Sequence, residues 1–121
     1  MIKTHGLTHL SLSVRDPQRS LEFYSKAFGV NEYYRDETSI QVQGPGKYDV
    51  IAFEKSRKDA GKQGGIAHFG FRLTRPEDIE KAVHEVENAG GKILERGEFS
   101  PGFPYLYVAD PDGYIIEIWY E

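Results

Sequence analysis

Gly6-Leu7-Thr8-His9 and Gly65-Ile66-Ala67-His68 stand 59 positions apart, and each opens an alternating apolar segment that runs into a proline-started helix. Pro17 and Pro76 keep the same offset. A chain that repeats itself in this way is confined to folds made of two equivalent halves, because each copy of the pattern should build the same supersecondary unit. The repeat also sets one imidazole at the equivalent place in each half.

In the first copy, Leu10, Leu12 and Val14 alternate with His9, Ser11 and Ser13, the period of a half-buried strand over Leu7–Val14. Asp16-Pro17 supplies an N-cap and a proline at the first helical position. Leu21, Tyr24 and Phe28 then fall on one helical face, and Gly29 offers a left-handed stop. Glu32–Arg35, Ser39–Val42 and Tyr48–Glu54 read as three further strands, the last two divided by Gly44-Pro45-Gly46. The predicted unit is β-α-β-β-β.

After a polar connector, Lys55–Gly64, the order repeats. Phe69, Phe71 and Leu73 alternate with His68, Gly70 and Arg72; Ile79, Ala82, Val83, Val86 and Ala89 keep helical spacing up to Gly90-Gly91. Lys92–Arg96, Tyr105–Val108 and Tyr114–Tyr120 complete the strands. Asp110-Pro111-Asp112-Gly113 has Asp, Pro and Gly at the first, second and fourth places of a type I turn. One unit alone would leave an apolar sheet face in water. The expectation is therefore a single α+β domain over residues 1–121, with two tandem βαβββ modules (about 5–55 and 65–121, joined by 56–64) forming a curved, open, barrel-like mixed sheet with helices on the outside.

The 121 residues, 39% hydrophobic with eight Tyr, seven Phe and one Trp, suffice for a proper core. A net charge of -4 with both signs interspersed gives no basic stripe, so neither nucleic acid nor a membrane surface is an expected partner. With no cysteine, a disulfide framework, a thiolate metal site and a cysteine nucleophile are all excluded. Met1-Ile2-Lys3-Thr4-His5 lacks the apolar centre of a signal peptide, and a cytoplasmic location is expected.

On each opening strand the histidine shares a face with small or polar residues, opposite the bulky apolar ones. Glu117 interrupts the apolar run Ile115-Ile116-Glu117-Ile118-Trp119, and a buried carboxylate is costly unless it is paired or bound to a metal. Two imidazoles and a carboxylate suit a divalent ion with positions left open for water and substrate. Solvated or hydrogen-bonded side chains are the plainer reading of the same three residues. His5 and His84 are given no role.

The order Thr8-His9-Leu10-Ser11-Leu12-Ser13-Val14, Asp16-Pro17, Phe23-Tyr24, Phe28-Gly29, Ala67-His68-Phe69 and Tyr107-Val108-Ala109-Asp110-Pro111-Asp112-Gly113 up to Glu117 resembles the vicinal oxygen chelate superfamily over the whole length. That superfamily includes glyoxalase I, extradiol dioxygenases, fosfomycin-resistance transferases and metal-free bleomycin-binding proteins. The resemblance implies metal ligands at His9, His68 and Glu117. A fourth position falls on Ala52 of Val50-Ile51-Ala52-Phe53-Glu54, which cannot ligate; Glu54 has the right parity but would need a two-residue slip.

Three ligands with an open face resemble the dioxygenase and fosfomycin-transferase branches more than the glyoxalase branch. Tyr107 matches the tyrosine of the extradiol signature, whereas the histidine expected upstream is replaced by Glu98-Phe99-Ser100. The loop Phe99-Ser100-Pro101-Gly102-Phe103-Pro104-Tyr105 offers few donors for a phosphonate and suits an aromatic or apolar substrate. The resemblance thus points to a metal-dependent enzyme with Fe(II) or Mn(II) favoured, Zn(II) or Ni(II) as alternatives, and Tyr107 as the catalytic hydrogen-bond donor. Arg72, Phe103, Tyr105 and Trp119 are candidate substrate contacts. Dioxygenase-like oxidation comes first, glyoxalase-like lyase or isomerase chemistry second, and metal-free sequestration of a small molecule third. Similar chains often form homodimers, in some of which modules exchange.

Overall fold

The computed structural model describes residues 1–3, 5–46 and 48–121. Thr4 and Lys47 lie outside the described residues. The chain divides into two compact units, Met1–Ala60 and Gly61–Glu121, with the division inside the predicted connector. Among the described residues no helix is long and apolar enough to cross a membrane.

The first unit runs β1 (His9–Val14), α1 (Pro17–Phe28), β2 (Asn31–Arg35), β3 (Ser39–Gln43), β4 (Val50–Lys55). The second runs β5 (Phe69–Arg72), a 3-10 turn (Pro76–Asp78), α2 (Ile79–Asn88), β6 (Lys92–Ser100), β7 (Phe103–Ala109), β8 (Ile115–Trp119). Each unit builds its own four-stranded sheet, in the order β1-β4-β3-β2 and β5-β8-β7-β6. The outer pairs β1/β4 and β5/β8 are parallel and the rest antiparallel. The expected pair of βαβββ modules is thus present, with the strands divided between two sheets.

In the first unit α1 packs on β3 and β4. Leu12, Val14, Ile40, Val42, Ile51 and Phe53 are buried with Phe23 and Tyr24 of the helix, and the Tyr24 and Phe53 rings lie 5.0 Å apart. The opposite face carries His9, Ser11 and Ser13. In the second unit α2 packs on β6 and β7, over Val86, Leu106, Val108, Ile116 and Ile118. Period-two alternation therefore assigns one face of each sheet to the core and frees the other for chemistry.

Helix starts differ between the units for a local reason. Asp16 Oδ1 accepts from the N–H groups of Gln18 (3.0 Å) and Arg19 (3.4 Å), Pro17 follows, and Gly29 closes the helix at φ 67°. At the equivalent place the second unit has Arg75, which offers no acceptor and instead pairs with Asp78 at 2.9 Å. With its first N–H groups uncapped by a side chain, the helix opens in a 3-10 turn and becomes α-helical only at Ile79. The Asp110–Gly113 turn forms as expected: Gly113 N–H donates to the Asp110 carbonyl at 3.0 Å. The buried Asp110 carboxylate accepts from Asp112 N–H at 2.9 Å and Tyr114 N–H at 3.0 Å.

Two stability predictions follow from this packing. Asp110→Ala strands two amides near the core and should lower unfolding free energy by about 1–3 kcal/mol in urea denaturation, while Asp110→Asn keeps most of it. Ser20 of α1 is fully buried, and among the described residues its hydroxyl has no hydrogen-bond partner. Ser20→Ala should raise stability by about 1 kcal/mol, since it removes an unsatisfied group and improves helix propensity.

Candidate functional site

Strand register decides which side chains share the open face of each sheet. In the second unit Gly70, Glu117, Tyr107 and Glu95 form one row across β5, β8, β7 and β6, and Arg72, Trp119, Tyr105 and Gly97 form the next. In the first unit the row equivalent to the former reads Ser11, Ala52, Gln41 and Tyr34. His9 and His68 each stand two residues before the first member of that row, so the duplicated histidines are equivalent in register as well as in sequence. Ala52 is confirmed as the counterpart of Glu117, and it is 3% exposed. Glu54 lies opposite Ser13, one row beyond.

His68 Nε2 stands 3.3 Å from Glu117 Oε2, and the Tyr107 hydroxyl donates to Glu117 Oε1 at 2.8 Å. The Glu117 side chain is only 15% exposed. A carboxylate so enclosed needs partners on its oxygens, and it has one on each. The His68 and Tyr107 rings meet edge-on at 5.2 Å. The hydrogen bond to Glu117, with burial adding to it, raises the Tyr107 pKa and keeps the phenol protonated. Gly70 sits directly across from Glu117, where a Cβ would come within 2.9 Å of the Glu117 carbonyl oxygen. Glycine is what this close strand pairing requires.

The second row is an aromatic wall. Tyr105 lies over Gly97, at which an added Cβ would stand 2.9 Å from the tyrosine hydroxyl oxygen and 3.1 Å from ring carbons. Phe99 stacks on Tyr105 at 4.2 Å and 18°, and meets Trp119 edge-on at 5.6 Å and 83°. Burial, together with the charge of the Glu95 carboxylate, raises the Tyr105 pKa. Two irregularities in the β6/β7 ladder make this possible. One falls between Ile93 and Glu95, leaving Ile93 opposite Val108 on the helix side and Glu95 opposite Tyr107 on the open side. The other, between Glu98 and Ser100, leaves Phe99 without a partner in the ladder, two residues beyond Gly97 and so on the same face as Tyr105.

The remaining predicted residues are placed less centrally. His9 opens β1 in the first unit, with Nδ1 2.7 Å from Thr8 Oγ1. Arg72 is occupied by an ion pair with Glu121, and Phe103 stacks on Tyr120 at 6.0 Å. Among the described residues, no three His, Asp or Glu side chains gather into a group that could hold a metal ion. The stretch 99–104, expected to be a loop, is mostly strand, turning only at Pro101-Gly102. Glu95 and Gly97 were not legible as site residues, because alternation from Ile93 carries Glu95 to the same side and only the bulge separates them.

The His68–Glu117 pair fits a metal. Two ligands held about 2.0–2.2 Å from one ion, at right-angled to tetrahedral spacing, stand about 2.8–3.6 Å apart. Their separation falls inside that range, and the donor set of neutral imidazole and carboxylate suits first-row divalent ions.

The family model of the glyoxalase/bleomycin resistance protein/dioxygenase superfamily matches residues 6–118, and the chain belongs to that superfamily. It is 26% identical over 116 residues to metapyrocatechase of Geobacillus stearothermophilus, covering 95% of this chain but 34% of that protein. It is 29% identical over 124 residues to a probable lactoylglutathione lyase of Synechocystis, covering 93% of this chain and 92% of the other. A manganese-dependent 2,3-dihydroxybiphenyl 1,2-dioxygenase of Geobacillus genomosp. 3 is 24% identical over 93% of the chain and 36% of its own length. The chain thus spans about a third of the two dioxygenases. The fosfomycin resistance protein FosX of Listeria monocytogenes shares the fold at a TM-score of 0.80 and 20% identity, over 100% of this chain and 93% of that one.

Gly97→Ala should displace the Tyr105 ring, with a stability loss of about 1–3 kcal/mol from overpacking. Trp119, the only tryptophan, touches Tyr105's stacking partner, so near-ultraviolet circular dichroism and tryptophan emission should both change.

Proposed function

We propose that the protein is a metal-dependent enzyme that chelates neighbouring oxygens of a small substrate, with His68 and Glu117 of the second unit as ligands. The observation that carries this reading is the His68–Glu117 separation of 3.3 Å with the Tyr107 hydroxyl on the other carboxylate oxygen. Fe(II) or Mn(II) is the favoured ion, in keeping with the manganese-dependent dioxygenase among the relatives; Zn(II) and Ni(II) are the alternatives. The bound ion would act as a Lewis acid on the substrate oxygens and, if iron, supply electrons for O₂ chemistry.

The chain's own residues do the rest. Tyr107, protonated at neutral pH, fixes the orientation of the Glu117 carboxylate by donating its one proton to it, and its oxygen is left to accept a hydrogen bond from a substrate hydroxyl at the edge of the site. Tyr105 and Trp119, their ring planes steeply inclined to one another, would flank a small substrate and exclude water from one side of it. Dioxygenase-like oxidation is the first choice of reaction. Glyoxalase-like isomerisation is the second, favoured by the match to nearly the full length of a probable lactoylglutathione lyase. Against it stands the methyl group of Ala52 where a fourth ligand would be needed.

Anaerobic loading with Fe(II) or Mn(II), followed by elemental analysis, should give one ion per chain. His68→Ala and Glu117→Gln should each lose it, and Tyr107→Phe should weaken binding about 10–100-fold by freeing the carboxylate. Oxygen uptake with a catechol panel then separates the two reactions: one bound ion without oxygen consumption excludes the oxidation. Metal-free protein from all loadings overturns the enzyme reading in favour of sequestration.

A further inference from the structure

Glu95 is the one feature of the second unit's open face that metal chelation leaves unexplained. It projects beside Tyr107 in the row that contains Glu117, placed there by the bulge at Leu94. In the ladder it lies diagonal to Tyr105, whose phenol its charge helps to hold neutral. The cations nearest in sequence or register are engaged elsewhere: Arg96, on the helix side, pairs with Glu80, and Arg72 pairs with Glu121. Among the described residues Glu95 has no ion pair, so a full negative charge stands uncompensated at the rim of the aromatic wall.

That wall is itself unusually open. Phe99 is 53% exposed, and its ring and that of Trp119 meet at 83°, forming a corner in which a small group touches both. Aromatic faces carry negative quadrupole charge and attract organic cations, and desolvation strengthens the attraction. A carboxylate at the rim adds charge complementarity, whereas a neutral or anionic ligand would gain nothing from Glu95 and an anion would be repelled.

We propose that Phe99, Tyr105 and Trp119, with Glu95 at their edge, form a binding site for an organic cation, an aromatic or alkyl ammonium group. The assignment rests on the enzyme reading only in calling that ligand a substrate; the binding itself needs no metal. If the two readings hold together, the substrate carries a chelating pair of oxygens at one end and a cationic nitrogen at the other. Backbones two strands apart stand about 9–10 Å from each other, so Glu117 and Glu95 would meet opposite ends of a one-ring molecule.

The test uses the full chain stripped of metal with a chelator, titrated calorimetrically with 4-(trimethylammonio)phenol, its neutral isostere 4-tert-butylphenol and the anion 4-tert-butylbenzoate. The cation should bind about 5- to 30-fold more tightly than the neutral isostere, and the anion most weakly. Glu95→Gln should reduce the preference for charge to what the rings alone supply, and Phe99→Leu should weaken the cation more than the neutral compound. Both positions are exposed, so both variants should fold. Equal affinity for cation and isostere, preference for the anion, no binding of the cation, or an undiminished preference in Glu95→Gln would each overturn the proposal. Loss of metal in His68→Ala, measured separately, leaves this outcome untouched, so failure of either reading is visible alone.

Discussion

A carboxylate within a four-stranded sheet is the constraint around which the second unit is arranged. Glu117 stands between Ile116 and Ile118, both buried, and its charge is tolerable only because Tyr107 donates to one oxygen and His68 stands at the other. Both contacts require β5, β7 and β8 to hold a single register. A slip of one residue would send Glu117 into the apolar core and Ile116 or Ile118 to the open face. The buried turn at Asp110 and the close approach at Gly70 hold that register from two sides. Stability and chemistry therefore depend on the same hydrogen-bond ladder.

Duplication has given the two units the same frame with different contents. In register, Ser11, Ala52, Gln41 and Tyr34 answer to Gly70, Glu117, Tyr107 and Glu95. The first unit kept the histidine and lost, or never had, the carboxylate; the second carries both together with the aromatic wall. A frame whose core face is fixed by alternation leaves the other face free to vary, which is consistent with a superfamily whose members differ in reaction while sharing the fold.

Most of the architecture was readable in the chain because it is written in short-range patterns. Alternation gave the strands, Asp16-Pro17 and Gly29 bounded the first helix, and the Asp110–Gly113 turn formed as its residues require. The equivalence of Ala52 with Glu117 came with the resemblance, from matching the last strand of each module, and stands in the ladders. The Glu117–Tyr107 contact was half legible: a polar residue in an apolar strand announces itself, but its hydrogen-bond partner depends on pairing between strands. The 3-10 opening of the second helix shows the limit of the repeat, since Arg75 replaces the capping aspartate. Glu95, Gly97 and Phe99 were hidden for a stricter reason. Their placement depends on bulges, and a bulge breaks the periodicity by which a strand is read.

The extra residue at Leu94 has a consequence for the sign of the wall. Paired without it, β6 would set Leu94 opposite Tyr107, turn Glu95 toward α2 and bring Arg96 to the open face across from Tyr105. The same amino acids would then offer a guanidinium where they now offer an acid. Whether this surface welcomes positive or negative guests is thus stored in one backbone irregularity, and a small change in strand alignment, with no change of composition, would reverse it.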